Sequence, residues 1–425
     1  MRKRLLSLLL VGAMSVTMLA GCGGNSNTSG KKTKKQTGDD AVATLIKNTK
    51  GPVDLTLWCS ETEAYQKVMK ERVDAFEKQY PKVKFHITIG AESEANCKDD
   101  VLKDVEAAAD VFVFPDDQLE GLVDAGALQS VDATYTYDPA ATNTKETVEA
   151  ASKDGKMYAY PLTASNGYFL YYNKDVLSED DVKSWDTMLS KAAEKGKTVG
   201  MEVSGAWYLY GFFSGAGLEM KKGDDGKNSC NWNSTDGKYK GADVAKAITE
   251  ICKNKAMVNC VNEDAQAFAL NGKMVADVNG TWASSAFKKA FGKGYAATKL
   301  PTFTVNGDQV QQGSFAGYKF VGVNAYSKNT GWAMLLSEFL TNEESQSAIA
   351  EATGEGPSNT KVAESDVVTG APAIKALGEQ APYADLQRVG DSYWEPAATL
   401  GQSLVEGNYK DAQKLLDDAV AGITQ

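Results

Sequence analysis

The chain has 425 residues, enough for two lobes of ordinary domain size, each with its own core. Its 45 basic and 56 acidic residues give a formal net charge of −11 at pH 7, which disfavours nucleic acid and anionic ligands as partners. The chain has one histidine and no closely paired cysteines, so we expect neither a metal site nor a cofactor.

The first 21 residues have the pattern of a secretory signal peptide. Three basic residues, Arg2, Lys3 and Arg4, precede an apolar run that is too short to span a membrane and ends in Leu-Ala-Gly directly before Cys22. This order predicts cleavage before Cys22, lipidation of its thiol and anchoring to the extracytoplasmic face of the cell membrane. Because residues 1–21 carry three basic and no acidic groups, cleavage moves the net charge from −11 to −14.

After Cys22 the composition changes to Gly, Ser, Asn, Thr and Lys, with few apolar residues before Val42. Such a segment cannot bury enough apolar surface to fold, so residues 22–50 are predicted to be a flexible tether. The mature chain would retain five cysteines besides Cys22. Outside the cytoplasm this odd number means that at least one thiol is free or pairs between chains; the five positions are Cys59, Cys97, Cys230, Cys252 and Cys260.

The folded part begins with strand and helix patterns in alternation. Apolar residues alternate with polar ones at positions 53–57 and again at 83–89, as in strands with one buried face. Between them, Ser60 and Glu63 have the spacing of a capping box at a helix start, and Pro81 ends that helix. Its predicted inner face consists of Tyr65, Val68, Met69, Val73 and Phe76.

The same alternation continues along the chain. The patterns predict helices at 97–108, 239–256, 332–340, 372–379 and 408–420, and strands at 111–114, 168–172 and 274–278. Strands that alternate with helices indicate parallel sheets wrapped by helices, and therefore an α/β fold with two lobes.

Enzyme chemistry is weakly indicated. One histidine on a predicted strand, His86, does not supply a Ser-His-Asp or Cys-His arrangement, and no dinucleotide, P-loop or zinc-protease motif occurs. A glycosidase carboxylate pair stays an open alternative, because only the separation of two carboxylates in space would identify it. We therefore expect no catalytic residues.

Aromatic residues occur at predicted loops and helix starts, several of them beside Asp, Glu or Asn. A flat aromatic side chain covers the apolar face of a pyranose ring while neighbouring polar groups bind its hydroxyls. As a set, these residues favour a sugar-binding cleft, although each alone is more often core packing. They are Trp58, Phe114, Trp207, Tyr208, Tyr210, Trp282, Tyr393 and Trp394.

Four segments resemble the maltose and maltodextrin-binding type of extracellular solute-binding protein. They are ADVFVFPDDQLEGLVDAGAL at 109–128, DGKMYAYPLTASNGYFLYYNKDVL at 154–177, FALNGKMVADVNGTWA at 268–283 and DSYWEPAATLGQSLVEG at 391–407. The resemblance extends with gaps over nearly all of 52–425. It implies a two-lobed, type II periplasmic-binding-protein fold and a monomer that delivers its ligand to the permease subunits of an ABC importer.

The family pattern also implies where the lobes and the hinge lie. The first lobe would combine 51–160 with 305–356, and the second 164–299 with 362–425. Three crossing segments would join them, near Tyr160 to Thr163, near Leu300 to Thr304 and near Pro357 to Lys361. The ligand, a malto-oligosaccharide, would lie between the lobes and be captured by hinge closure.

The resemblance assigns ligand-binding positions residue by residue. In the first lobe these are Ser60, Glu61, Phe114 as a stacking residue, Asp117 and Gln118, with Ser165 or Asn166 beside the hinge. In the second lobe they are Trp207, Trp282 and Trp394. We add Tyr393, which belongs to the aromatic set above, as a further predicted ligand contact.

Two departures from the family pattern leave the sugar open. Where maltodextrin-specific members have a Glu after the Tyr-Pro segment and a basic residue after the Asp of the first-lobe loop, this chain has Ser165-Asn166 and Gln118. A xylo-, galacto- or fructo-oligosaccharide therefore stays an alternative ligand. Other classes also stay open: a surface glycan adhesin without an importer and a lipid-anchored hydrolase, with iron or polyamine capture less favoured.

Overall fold

The computed structural model describes residues 38–131, 134–223 and 225–425. The predicted signal peptide, Cys22 and the first part of the tether lie outside these residues. In the described part of the chain, no helix combines the length and the apolar character needed to cross a membrane.

The prediction of a tether up to residue 50 is wrong for its last part, because residues 38–48 form a helix, Gly38–Asn48. Its side chains Val42, Leu45 and Ile46 recur at helical spacing and pack against the first core. Directly after the helix, Thr49 Oγ1 accepts a hydrogen bond of 2.8 Å from Trp332 Nε1. The folded body therefore begins at about residue 38.

The first lobe is built around a five-stranded sheet. From one edge to the other, its strands are Phe85–Ala91, Val53–Cys59, Val111–Pro115, Lys319–Val323 and Ala159–Thr163. The first three are mutually parallel, and Lys319–Val323 is antiparallel to both of its neighbours. Strands from distant parts of the sequence therefore share one sheet.

The second lobe contains another five-stranded sheet. Its strands, in spatial order, are Met257–Val258, Thr198–Gly200, Met274–Gly280, Tyr168–Asn173 and Tyr295–Thr298. The first three are parallel, and Tyr168–Asn173 is antiparallel to its two neighbours. Both lobes thus combine a parallel part with an antiparallel edge.

The remaining strands form short two-stranded sheets. They pair Ser152–Lys153 with Lys156–Met157, Met220–Lys222 with Asn228–Cys230, Thr302–Val305 with Asp308–Gln311, and Ser314–Ala316 with Ala384–Leu386. The 302–311 hairpin turns at Asn306 and Gly307, both with positive φ, the conformation that tight hairpin turns require.

Helices cover the faces of both sheets. The α-helices after Gly38–Asn48 are Glu63–Gln79, Cys97–Lys103, Leu119–Asp124, Pro139–Thr142, Lys145–Ala150, Trp185–Glu194, Ala206–Gly215, Gly241–Lys253, Asn262–Leu270, Ser284–Phe291, Thr330–Thr341, Glu343–Thr353, Thr360–Ala363, Asp366–Thr369, Pro372–Gln380, Trp394–Glu406 and Ala412–Ile423. Short 3₁₀ helices are Glu94–Asn96, Asp116–Gln118, Thr281–Ala283, Gly292–Gly294, Ala381–Tyr383 and Asp391–Tyr393.

The helix Glu63–Gln79 shows how well periodicity predicted the first lobe. All five residues of its predicted inner face are buried, and the helix ends just before Tyr80 and Pro81. The predicted capping box is wrong: Thr62 is the N-cap residue and provides no side-chain cap. Ser60 lies two residues further out, where the chain leaves strand Val53–Cys59.

Two of the predicted crossing positions are also wrong. Leu300, Phe303 and Val305 are buried in the second core, so the chain does not cross near Leu300 to Thr304. Instead it leaves that core after Ser314–Ala316 and enters the first sheet at Lys319. The reason is the hairpin at 302–311: its two strands pair with each other, and its buried side chains Phe303, Val305 and Val310 pack in the second core before the chain crosses.

The last crossing also lies later than predicted. Val362 and Val368 pack with Ala350 of helix Glu343–Thr353, on the side of the first lobe. Ala373 is the next buried residue that packs with Phe169 and Tyr171 of the second lobe. Residues 362–368 therefore belong with the first lobe and not with the second.

Candidate functional site

A pocket of about 660 Å³ lies where the two sheets face each other. This volume falls within the usual range for sites that hold small molecules. Residues of both lobes line it, and most of them directly follow strands. A ligand in this pocket would contact both lobes at once.

The first lobe contributes three loops to the pocket. Ser60, Glu61 and Thr62 follow strand Val53–Cys59, residues 93–96 follow Phe85–Ala91, and Pro115, Asp117 and Gln118 lie at the end of Val111–Pro115. These three strands are parallel, so their carboxyl ends lie at the same edge of the sheet. This is where open α/β sheets generally bind ligands.

The second lobe contributes its side of the pocket in the same way. Glu202 follows strand Thr198–Gly200, Asn262 follows Met257–Val258, and Trp282 follows Met274–Gly280. Two helix starts add Trp207, on helix Ala206–Gly215, and Trp394, on helix Trp394–Glu406. The carboxyl ends of parallel strands in both sheets therefore face one pocket.

Three half-buried tryptophans, Trp207, Trp282 and Trp394, form the aromatic part of the pocket. The ring centroids of Trp207 and Trp282 lie 5.6 Å apart, and their planes are inclined by 45°. Trp207 Nε1 donates a hydrogen bond of 2.6 Å to Gln387 Oε1, which fixes the indole in place. The two adjoining indoles therefore offer a bent and not a flat apolar surface.

Two consecutive aspartates stand at the end of strand Val111–Pro115. Asp116 is buried, forms an ion pair with Arg388 and accepts a hydrogen bond of 3.0 Å from the Tyr318 backbone N–H. Asp117 lines the pocket, and its Oδ1 is buried without a hydrogen-bond partner. Burial and the neighbouring Asp116 carboxyl raise the pKa of Asp117 to about 7. Asp117 Oδ1 is thus a polar atom in the pocket without a hydrogen-bond partner.

On the opposite side, burial and the nearby Glu263 raise the pKa of Glu202 to about 6. Glu263 and Asn262 line the same part of the pocket. The pocket therefore holds hydrogen-bonding carboxyl groups on both lobes, beside the indole surface.

Ion pairs connect the lobes around the rim of the pocket. Lys98 Nζ of the first lobe lies 2.7 Å from Asp391 Oδ1 of the second. Lys222 and Arg388 of the second lobe pair with Glu120 and Asp116 of the first. These pairs join the two lobes in this structure.

The structure brings eight of the predicted residues together in this pocket: Ser60, Glu61, Asp117, Gln118, Asn166, Trp207, Trp282 and Trp394. One of them, Gln118, forms hydrogen bonds with the backbone of a neighbouring loop. Gln118 Nε2 donates to the backbone oxygens of Glu94 and Ala95, at 3.0 and 2.9 Å, and its Oε1 accepts from the Lys98 N–H at 2.8 Å. Gln118 therefore holds the loop at 93–96 in place.

Three predicted residues lie outside the pocket. Phe114 is fully buried and packs against Phe112 and Phe320, so it has no exposed ring face on which a sugar could stack. Its prediction failed because strand Val111–Pro115 is buried on both faces. The pocket-lining residue at this strand end is Pro115.

Ser165 and Tyr393 also lie outside the pocket, and their hydroxyl groups form hydrogen bonds within the protein. Ser165 Oγ is buried, 3.3 Å from Thr281 Oγ1, and accepts a hydrogen bond of 2.7 Å from the Gly356 N–H. It thus ties the segment after strand Ala159–Thr163 to Gly356 of the first lobe and Thr281 of the second. The buried Tyr393 donates its hydroxyl to the Ala206 carbonyl at 2.8 Å and packs edge-on against Trp394. Its position supports the neighbouring indole.

Sequence reasoning missed several pocket residues, among them Glu94, Lys98, Glu202, Gln387 and Lys319. The signal for Lys319 was present: a lysine opens an otherwise apolar strand, Lys-Phe-Val-Gly-Val. A charge at the head of a buried strand requires a partner or a ligand. The others stand in loops whose positions depend on the assembled sheets.

The side chains of the pocket have the properties that sugar binding requires. Among the described residues, no group of three or more His, Cys, Asp or Glu side chains could hold a metal ion. His86 pairs with Asp54 on the surface, 2.8 Å away, outside the pocket. The indoles can cover apolar ring faces, while carboxyl and amide groups exchange hydrogen bonds with hydroxyls.

Comparisons with known proteins agree with this description. The family described as bacterial extracellular solute-binding protein matches residues 71–376. A galactooligosaccharide-binding protein of Bacillus subtilis is 26% identical over 99% of this chain and 96% of its own length. A maltooligosaccharide ABC transporter solute-binding lipoprotein of Streptococcus pneumoniae is 27% identical, over 88% of each chain.

Solved structures show the same architecture. A structure determined with acarbose has a TM-score of 0.77 and 29% identity, and it covers 88% of this chain and 99% of that chain. A maltodextrin-binding protein from L. casei, solved without ligand, has a TM-score of 0.70 and 29% identity, covering 88% and 100%.

The fold and the pocket define a two-lobed solute-binding protein, as the sequence predicted. The chain belongs to the family of bacterial extracellular solute-binding proteins.

Proposed function

We propose that this protein is the substrate-binding component of a carbohydrate ABC importer and captures malto-oligosaccharides between its lobes. The observation that carries the proposal is the bent indole surface of Trp207 and Trp282, inclined by 45°. An α-1,4-glucan curves along its length, so successive glucose units need a curved platform, whereas a β-1,4-linked chain needs a flat, extended one.

The polar groups support the same ligand class. Asp117 and Glu61 on one lobe and Glu202 on the other line the pocket together with the amides Asn166, Asn262 and Gln387. Carboxylates and amides bind neutral hydroxyls well, but carboxylates repel anions. A neutral oligosaccharide therefore fits this pocket better than a phosphorylated or acidic one.

Capture would proceed by closure of the lobes. Because the pocket residues come from both lobes, a ligand gains its full set of contacts only when the lobes are close, which shifts the population toward the closed state. The rim pairs, such as Lys98 with Asp391, would form in the same state. Permease subunits would then recognise the closed form.

The membrane anchor is part of the proposal. Relatives named as solute-binding lipoproteins support the prediction that Cys22 carries the lipid. Substitution of Cys22 by Ala should release the protein from the membrane fraction into the medium. Retention of Cys22→Ala at the membrane after removal of residues 1–21 would contradict lipid anchoring at this residue.

A second ligand, a galacto-oligosaccharide, is favoured by one relative, the galactooligosaccharide-binding protein that matches 99% of this chain. The departures at Ser165 and Gln118 from the maltodextrin pattern are consistent with either ligand. The two sugars differ in linkage and in the orientation of one hydroxyl, so binding measurements separate them.

Isothermal titration calorimetry on residues 38–425 tests the function. Maltotriose and maltotetraose should bind with micromolar or tighter Kd, and galacto-oligosaccharide, xylotriose and cellotriose at least tenfold more weakly, since a site built to bind specific hydroxyls rejects a wrong one. Tighter binding of galacto-oligosaccharide would replace the ligand and keep the role. Absence of binding to every series would overturn both.

A further inference from the structure

A buried group of three charged residues, Lys319, Glu94 and Glu355, lies at the base of the pocket. Lys319 Nζ is 2.6 Å from Glu94 Oε2 and 3.1 Å from Glu355 Oε1. The Lys319 side chain is 5% exposed, that of Glu94 14% and that of Glu355 1%. Two carboxylates thus surround one ammonium, away from solvent.

This group is not saturated internally. An ammonium has three N–H donors, and the two carboxylates accept from two of them. Glu94 Oε1 is also buried without a hydrogen-bond partner. Buried polar groups are normally paired, so an available donor and an available acceptor side by side indicate that something else binds there.

Two of the three charged residues face the pocket. Lys319 and Glu94 both line the pocket, whereas Glu355 does not. The Lys319 ammonium also lies over the Trp282 ring, 5.4 Å from its centroid. The donor therefore lies against the indole that we assign to a sugar ring, and the acceptor belongs to its ion-pair partner Glu94.

The charge state supports the same role. Burial alone would lower the pKa of Lys319, but Glu355 and Glu94 outweigh burial and raise that pKa above its ordinary value. Lys319 therefore remains a cation and a strong donor. Glu355 contacts the cation from outside the pocket and positions it.

We propose that Lys319 and Glu94 form a hydroxyl-pair subsite: Lys319 Nζ donates to one hydroxyl of the ring that stacks on Trp282, and Glu94 Oε1 accepts from the adjacent hydroxyl. This inference rests on the proposed sugar-binding function and adds the specificity determinant within it. A ring that lacks either hydroxyl would leave a buried charged group unpaired and would be rejected.

Glu94→Gln tests the acceptor. The amide oxygen turns toward Lys319, so its NH₂ faces the pocket and replaces the acceptor with a donor. Sugar affinity should fall by about 10-fold to 100-fold. Glu194→Gln, which alters a surface ion pair with Lys191, is the matched control and should bind as the unmodified protein does. An unchanged Kd for Glu94→Gln would overturn the proposal.

Deoxy sugars locate the contact. In a series of maltotrioses that each lack one hydroxyl, at least one should bind the unmodified protein about tenfold or more weakly than maltotriose. The Glu94→Gln variant should bind that same analogue with the same affinity as the unmodified protein does, because the missing hydroxyl and the missing carboxylate belong to one interaction. Full additivity of the two losses for every analogue would exclude a direct contact.

Lys319→Met tests the donor but leaves two buried carboxylates without their cation, which can prevent folding. The double substitution Lys319→Met with Glu355→Gln removes the deeper charge as well and leaves Glu94 facing the pocket. It should keep a cooperative thermal transition and lose at least about tenfold in sugar affinity. A folded double variant with the original Kd would overturn the proposal.

The two proposals fail differently. If the unmodified protein binds no malto-oligosaccharide, the proposed function fails, and the same variants are then compared on whichever oligosaccharide series it does bind. If the unmodified protein binds its sugar but Glu94→Gln binds it equally well, only the subsite fails.

Discussion

The Trp282 indole lies directly against the backbone of Gly280: a methyl group at Gly280 would come within 2.0 Å of the ring. Strand Met274–Gly280 ends there, and the chain enters the 3₁₀ helix Thr281–Ala283. Gly280 has negative φ, so the need for glycine is steric and not conformational. The absence of a side chain at Gly280 places the indole in the pocket.

Gly280→Ala should therefore displace Trp282 and weaken sugar binding. Because a contact of 2.0 Å cannot be tolerated, the ring must turn away from its present position. We expect a loss of about tenfold or more in affinity, corresponding to about 1.4 kcal/mol, measured by calorimetry with maltotriose.

Gly378→Ala is the matched control. A methyl group at Gly378 meets no atom within 4 Å, and the residue lies inside helix Pro372–Gln380. Alanine there should increase the free energy of unfolding by up to about 1 kcal/mol, which would raise the unfolding temperature slightly. Sugar binding should stay unchanged. Equal binding by both variants would show that Trp282 does not need its present position.

Removal of the indoles should act on binding more than on folding. Trp282→Ala and Trp394→Ala should each weaken sugar binding by about 1 to 3 kcal/mol, because each removes an indole on which a sugar ring stacks. Their unfolding temperatures should change less than that of Trp185→Ala, which removes a fully buried core side chain. Normal sugar binding by both variants would place the site elsewhere.

The residues outside the pocket should show the opposite behaviour. Tyr393→Phe removes a buried hydrogen bond to Ala206 and should cost about 1 kcal/mol in stability, with sugar affinity nearly unchanged. Phe114→Leu should cost roughly 1 to 3 kcal/mol in stability through lost core packing. Chemical denaturation together with calorimetry measures both quantities. A large loss of affinity at full stability would restore either residue as a ligand contact.

The sequence predicted the elements better than it predicted the crossings. Apolar periodicity gave helix Glu63–Gln79 with its buried face, because that face follows a local 3.6-residue repeat. It could not place the hairpin at 302–311, whose side chains Phe303 and Val305 read as an ordinary alternating strand. Which lobe receives such a strand depends on contacts with residues more than 80 positions earlier, such as Phe212.

The sequence likewise predicted some residues of the site and missed others. Trp207, Trp282 and Trp394 were found because an aromatic residue at a strand end or helix start is a local signal. Phe114 has the same local signal but lies on a strand whose two faces are both covered, which only the assembled lobe reveals. Glu94 and Glu355 acquire their roles from Lys319, 225 and 36 residues away in sequence, so no local pattern indicates them.

Stability should depend on pH through Asp117. Its pKa is about 7 in the folded protein, against an ordinary value of 3.8. Between about pH 4 and about pH 7 the folded chain holds a proton that the unfolded chain has lost, so this group makes stability fall as pH rises through that window. Asp117→Asn should reduce this slope, measured by denaturant unfolding at several pH values. An identical slope in both proteins would contradict the raised pKa.

Sugar affinity should depend on pH in the opposite direction. A carboxylate accepts stronger hydrogen bonds from hydroxyls than a carboxylic acid does, so a ligand on Asp117 favours the ionised form. Affinity should therefore rise as pH increases through about 7, the pKa of Asp117, with an earlier rise near 6 from Glu202. In Asp117→Asn only the rise near 6 should remain, and in Glu202→Gln only the one near 7. If Asp117→Asn keeps the complete pH profile of the unmodified protein, the sugar does not bind to the Asp117 carboxylate.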